Sequence, residues 1–200
     1  MQLKGENMVK LPVIVYNRDS QSDVLIDAID LRNKLEELAN AEYAKTGKYI
    51  RPIALFQAQP KGKEDATTFE KLRDKLVDAG IPAEQIAIRT ADVNELKNVD
   101  LMSPDCPVRY IITVNALKEG WDCPFAYILA SLANKTSQVD VEQILGRILR
   151  LPHTSQHTQV ALNMSYVLTS SNDFNTTVQH IIKGLNSAES ATRIIVWPNL

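Results

Sequence analysis

Residues 108–150 read VRYIITVNALKEGWDCPFAYILASLANKTSQVDVEQILGRILR, and this stretch decides the fold. Val108–Val114 is a continuous apolar run rich in β-branched residues, too short for an ordinary helix. That is how a strand buried on both faces reads. Asn115–Pro124 is polar and contains a glycine, and Ala126–Leu132 reads as a second buried strand. In VDVEQILGRILR the apolar residues Val141, Ile144, Leu145, Ile148 and Leu149 recur at helical spacing. Gln143, Arg147 and Arg150 then lie on or near a more polar side. The unit is strand, loop, strand, loop, helix.

Arg147 and Arg150 are three residues apart, so on a helix they point in neighbouring directions. Guanidinium carries a permanent charge and a planar fork of donors that suits phosphate oxygens. Gly146 leaves room for a ligand or another backbone. The plainer alternative is a solvated amphipathic helix whose arginines pair with Glu142 or Asp140.

Working outward, strands and helices alternate. Val9–Asn17 contains a short strand that Pro12 confines to an edge or a strand start. Val24–Lys45 is an amphipathic helix, with Asp23 a candidate cap and Gly47 placed to end it. Ile53–Phe56 is a buried-strand core, and its end, Gln57–Gln59, lies where open α/β sheets bind ligands or is an ordinary polar loop. A helix begins at Asp65 or Thr67, runs to Ala79, and stops at Gly80 and Pro82. Gln85–Thr90 is a strand, and Thr90 at its end reads as a plain helix cap. Val93–Val99 is expected to be a short helix. Gln159–Thr169 is expected to be a strand, and Phe174–Leu185 a helix capped by Asn172 or Asp173. Such alternation implies a largely parallel, doubly wound α/β sheet.

The 200 residues suit one large domain with extensions. The formal charge of −2 lacks the basic excess of an autonomous nucleic-acid binder, and Lys61, Gly62 and Lys63 make only a small basic turn. Cys106 and Cys123 read as free thiols of a reducing compartment, and no apolar run reaches membrane-span length, so a cytoplasmic protein with no membrane partner is expected. His153 and His157 lack a third ligand, so no metal site is expected. The polar start, Met1–Lys10, is expected to be frayed or trimmed from something larger. Arg193–Pro198 is a short apolar ending in which Trp197 would pack on the domain or on a neighbour.

Two segments together resemble superfamily 2 helicases. Thr113, Gly120, Asp122 and Pro124 match motif V, a threonine-bearing strand leading to G-x-D-x-P. Gln143, Gly146, Arg147 and Arg150 match motif VI, Q-x-x-G-R-x-x-R. NALKEGWDCP followed by QILGRILR looks most like the DEAD/DEAH-type helicase subunit of type III restriction enzymes. The resemblance covers roughly residues 50–185, as a second RecA-like domain of the P-loop NTPase type, a three-layer sandwich with helices on both faces. It divides the chain into 1–48, a strand and long helix at the junction with an upstream domain, 49–187, the RecA-like domain, and 188–200, a C-terminal extension.

The resemblance implies ATP and Mg2+ held mainly by an upstream RecA-like domain. The sequence itself shows neither a G-x-x-x-x-G-K-[ST] loop nor a D-E-A-D or D-E-x-H run. Arg150 would then be the arginine finger, and Arg147 a second γ-phosphate contact. Gln143, Gly146, Gly120 and Asp122 would line the nucleotide, and Thr113, Gln57 and Thr90 would meet nucleic acid. Double-stranded DNA and a methyltransferase (modification) subunit are the implied partners, and this piece alone would be inactive. The step from Thr113 to Gly120 is one residue longer than in DEAD-box members, which bears on Thr113 more than on Gly120 or Asp122. Trp121 would stack on a ligand or join the core. The other readings are a regulatory module binding nucleotide or a protein partner, and an RNA helicase domain.

Overall fold

The computed structural model describes residues 9–62, 66–114, 123–134 and 138–188. The expectations for residues 1–8, Lys63, Asp65, Gly120, Trp121, Asp122 and 189–200, Trp197 included, lie outside these residues.

Six strands form one sheet: β1 (Val13–Asn17), β2 (Ile53–Gln57), β3 (Ile86–Ile88), β4 (Tyr110–Thr113), β5 (Ala126–Ser131) and β6 (Ser165–Thr169). Their spatial order is β1-β6-β5-β2-β4-β3, and every neighbouring pair is parallel. The α/β expectation holds, with all six strands running one way. β2, β4, β5 and β6 are buried at every residue. Continuous apolar runs such as YILA serve this position because both faces of a parallel sheet are covered.

Among the described residues, four helices supply the cover: α1 (Gln21–Thr46), α2 (Phe69–Asp78), α3 (Gln138–Ile148) and α4 (Asn172–Ala188). The connections β1→β2 and β2→β3 move one way along the sheet, and β4→β5 and β5→β6 move the other. Right-handed crossovers therefore put α1 and α2 on one face and α3 on the opposite one. α4 packs beside α3 and against β1 and β6, completing three layers. β1, whose pairing strand is β6, forms one edge of this sheet.

Local chemistry sets the helix ends. Ser20, rather than Asp23, caps α1, its hydroxyl accepting from the Asp23 amide, and Gly47 ends the helix at φ 72°. That left-handed conformation strains any residue with a Cβ. Thr68 caps α2, and the Ser171 hydroxyl accepts from the Phe174 amide at the start of α4. Each cap is a Ser or Thr within a few positions of the expected one, because several residues with a short side-chain oxygen cluster before each apolar run.

Two expected elements are corrected. Val93–Val99 is not a helix. Asn94 bridges Arg89, the Glu95 amide donates to the Ile88 carbonyl, and turns follow. The segment folds back along β3 and covers the sheet's outer edge, which would otherwise present unpaired backbone groups. Gln159–Thr169 is not one strand. Val160–Asn163 forms a 3-10 turn held by the Tyr127 hydroxyl, which donates to the Leu162 carbonyl at 2.9 Å, and β6 starts only at Ser165.

Candidate functional site

α3 carries Gln143, Gly146 and Arg147, and Arg150 follows two residues past its end. Val141, Ile144, Leu145 and Ile148 are its buried face. Burying such side chains stabilises by roughly 1.5–3 kcal/mol each, which fixes the rotation of the helix. Gln143, Gly146 and Arg150 are exposed, and Arg147 is half-buried. Gln143, Gly146 and Arg147 thus lie on the outer side of a fixed helix. The expectation that Arg150 projects from the same helix is corrected, because α3 ends at Ile148 and Arg150 is drawn into an antiparallel bridge with Val9. A Cβ added to Gly146 would meet nothing within 4 Å. Packing within the described chain therefore does not require a glycine here, although a glycine inside a helix costs about 0.5–1 kcal/mol against alanine.

α3 runs against the strands, so its arginine end lies at the amino end of the sheet. Three contacts tie it there. Val9 pairs antiparallel with Arg150, the Lys10 amide donates to the Leu149 carbonyl, and the Ser165 hydroxyl lies 3.1 Å from the Ile148 carbonyl. The segment entering β5 arrives at the same place. Lys10 Nζ donates to the Pro124 carbonyl at 3.0 Å and to the Ala126 carbonyl at 2.5 Å. Gly120 and Asp122 lie outside the described residues, and the described chain resumes at Cys123, close to Lys10.

Arg51 flanks this segment from the β2 side, its guanidinium 5.8 Å from the Phe125 ring centroid. It donates to the carbonyls of Val108, Ser103 and Leu101. Burial pushes the Cys123 thiol up to about 12, with Lys10 and Arg51 only partly opposing it, so it stays protonated and packs as a small apolar group. The expectation that the Val9–Lys10 end of the polar N-terminus is frayed is corrected: Lys10 is fully buried.

The remaining predicted residues lie at the opposite, carboxyl end. Asn17, Thr169, Ser131, Gln57 and Thr113 are the last residues of β1, β6, β5, β2 and β4, and each pairs in register with the next. In-register residues of parallel strands share a face, so these five form a polar row across the sheet. All but Asn17 are buried. The Ser131 hydroxyl donates to Gln57 Oε1 at 2.8 Å. Thr90 lies just beyond β3, half-buried, and its hydroxyl accepts from the Val93 amide at 3.1 Å. It caps a turn rather than a helix.

The connection leaving β5 and the one leaving β2 turn to opposite faces. Between these adjacent strands lies the topological switch point, the usual place for a ligand in an open α/β sheet. Gln57 and Ser131 flank it. Strands of five or six residues separate this end from the arginine end by about 17 Å. The structure therefore divides the predicted residues into two groups, Gln143, Gly146 and Arg147 on α3 with Arg150 just past it, and Gln57, Thr90 and Thr113 at the carboxyl edge.

Ser131, Thr169 and Asn17 were not singled out from sequence, because a single polar residue ending an apolar run carries no signal by itself. Lys10 was equally silent. His153 and His157 do lie together, their ring centroids 6.4 Å apart. No group of three His, Cys, Asp or Glu suited to a metal ion occurs among the described residues, and none of their helices is long and apolar enough to cross a membrane.

No family model matches the sequence, and no curated protein does. Among solved structures, the chain is similar to the C-terminal domain of an S. cerevisiae Dbp5 variant bound to a Gle1 variant and IP6. The identity is 16%, the TM-score is 0.46, and 93% of this chain and 89% of that chain are covered. It is also similar to the ATP-dependent Type ISP restriction-modification enzyme LlaBIII bound to DNA, with 18% identity and a TM-score of 0.45. There 92% of this chain is covered but only 14% of that chain.

Proposed function

We propose that this chain is the second RecA-like motor domain of an ATP-dependent helicase or translocase, of the type III restriction kind, acting on double-stranded DNA. The observation that carries the reading is the exposed strip of α3. Gln143 and Gly146 are exposed on α3 beside the half-buried Arg147, Arg150 is exposed just past the helix end, and the glycine faces open space. A surface with two guanidiniums and a residue without a Cβ next to the first of them suits a phosphate group approaching from another domain.

ATP would bind between this wall and a first RecA-like domain, which would hold Mg2+ and most of the triphosphate. Arg150 would stabilise charge on the transferring phosphoryl group, and Arg147 would contact the γ-phosphate. Gln143 would orient the nucleotide, with Gly120 and Asp122 beside it. Phosphoryl transfer gains mostly from positioning and charge stabilisation, and an arginine finger contributes about three to five orders of magnitude in rate. The DNA backbone would run along the carboxyl edge, near Thr90, Thr113 and Gln57. Separating the two sites by the height of the sheet lets one rigid body transmit movement from nucleotide to DNA.

The test is ATP hydrolysis by the complete protein with double-stranded DNA, single-stranded DNA or RNA. Arg150→Ala should lower the stimulated rate by at least about 10³-fold with folding intact. Hydrolysis retained in that variant overturns the finger assignment. Stimulation by RNA alone overturns the DNA assignment.

A further inference from the structure

We infer that Lys10 is a positioning residue that holds the arginine end of α3 in fixed relation to the segment entering β5. The inference rests on the motor reading above. Lys10 reaches both parts at once. Its amide donates to the Leu149 carbonyl, next to Arg150, while its Nζ donates to the carbonyls of Pro124 and Ala126. The ammonium also stands 4.0 Å from the centroid of the Tyr127 ring, a cation–π distance. The Lys10 carbonyl accepts from the Ser165 hydroxyl at 3.1 Å. That hydroxyl is equally close to the Ile148 carbonyl, so it alternates between the two or is shared.

The chemistry is specific to lysine. An ammonium carries three donors, enough for two carbonyls of one chain segment and a ring face. A methionine would fill the same space without desolvating a charge, so packing alone does not call for this residue. The consequence is geometric. The chain entering β5 is held at Pro124 and Ala126, and the backbone that leaves α3 carries the proposed finger, Arg150, next to Leu149. Lys10 fixes the distance between these two parts. A displacement of about 1 Å in such a constellation can cost about 10²-fold in rate.

The experiment compares wild type, Lys10→Met and Ser165→Ala in the complete protein. It reads kcat and KM for DNA-stimulated ATP hydrolysis, and thermal unfolding. Lys10→Met should lower kcat by about 10- to 100-fold while KM stays within about threefold and the protein remains folded, the pattern of an interaction realised in the transition state. Ser165→Ala should move kcat in the same direction by a smaller factor. A changed unfolding temperature with kcat unaltered per folded molecule overturns the inference, leaving Lys10 a purely structural residue. If Lys10→Met does not fold, Ser165→Ala decides: lower kcat in a folded protein supports the role, and unchanged kcat overturns it. Arg150→Ala is measured alongside. Hydrolysis retained there overturns the motor reading and this inference together, whereas hydrolysis lost there and unchanged in Lys10→Met overturns only the role of Lys10.

Discussion

Thr158 donates both its amide and its hydroxyl hydrogen to the carboxylate of Glu42, at 3.0 and 2.6 Å. The Gln159 amide adds a third donor at 3.1 Å. Glu42 is on α1, and Thr158 is in the loop that follows the arginine helix, so this buried carboxylate ties the loop to the far layer. Burial pushes the carboxyl up, but the Thr158 and Gln159 donors and nearby His157 outweigh it and hold Glu42 below its ordinary 4.5. Glu42→Gln places an amide NH2 against those donors. It should cost about 1–3 kcal/mol in urea unfolding at pH 7. Because the folded value is the lower one, the carboxylate's contribution is full above 4.5 and fades as pH falls through the folded value. The gap between variant and wild type should therefore close in that acid range. A gap that stays constant there would remove the ionised carboxylate from the account.

His157 makes a separate prediction at higher pH. Neither ring nitrogen has a hydrogen-bond partner among the described residues, and Nδ1 lies 3.7 Å from Glu42 Oε1. Burial lowers its affinity for a proton, Glu42 partly restores it, and His153, Lys48 and Lys10 lower it further, leaving it below 6.5. The unfolded chain thus takes up this proton at a higher pH than the folded one. Stability from this group is complete above 6.5 and falls as pH drops below it. His157→Phe should flatten that part of the stability profile. An unchanged slope in the variant would assign it to other groups.

Much of this architecture is legible in sequence because a parallel sheet writes itself as short apolar runs. The runs Ile53–Phe56, Val108–Val114 and Ala126–Leu132 each contain the strand expected of them, β2, β4 and β5, for that reason. The helix at Gln138–Ile148 is legible because its buried face repeats every three to four residues, but its end is not, since pairing with Val9 takes Arg150 out of it. What fails is decided by distant partners. Val93–Val99 has helical spacing but is drawn along β3 by backbone pairing. Val160–Asn163 looks like strand but is turned by the hydroxyl of Tyr127, thirty-five positions away from Leu162. Lys10 looks like part of a polar tail, and only the folded chain brings Pro124 and Leu149 to it. The Arg147–Arg150 spacing is local and visible, whereas the polar row at the carboxyl edge exists only through the register of five strands.

That row predicts a stability effect at Ser131. Its hydroxyl donates to Gln57 Oε1 at 2.8 Å and accepts from the Ala133 amide at 3.3 Å, all within the buried carboxyl edge. Ser131→Ala takes away the donor to one buried oxygen and the acceptor for one amide. The expected loss is about 1–3 kcal/mol in chemical denaturation. A loss below about 0.5 kcal/mol, the size of an ordinary surface substitution, would mean that water reaches Gln57 and that this edge is more open than its burial indicates.

Gly146 separates folding from function in one substitution. Its Cβ position is open, so Gly146→Ala introduces no clash within the described chain. Alanine is the better helix former by about 0.8–1.0 kcal/mol, and the protein should gain about that much in thermal or urea unfolding. If a phosphate or a second domain approaches this strip closely, the same methyl group stands in its way. DNA-stimulated ATP hydrolysis by the complete protein should then fall, with a raised KM for ATP if the obstruction is to ground-state binding. A variant that is more stable and fully active would show that nothing packs against Gly146 in the working protein. The strip of α3 would then be an ordinary solvated surface, and the case for Arg147 and Arg150 would lose its geometric support.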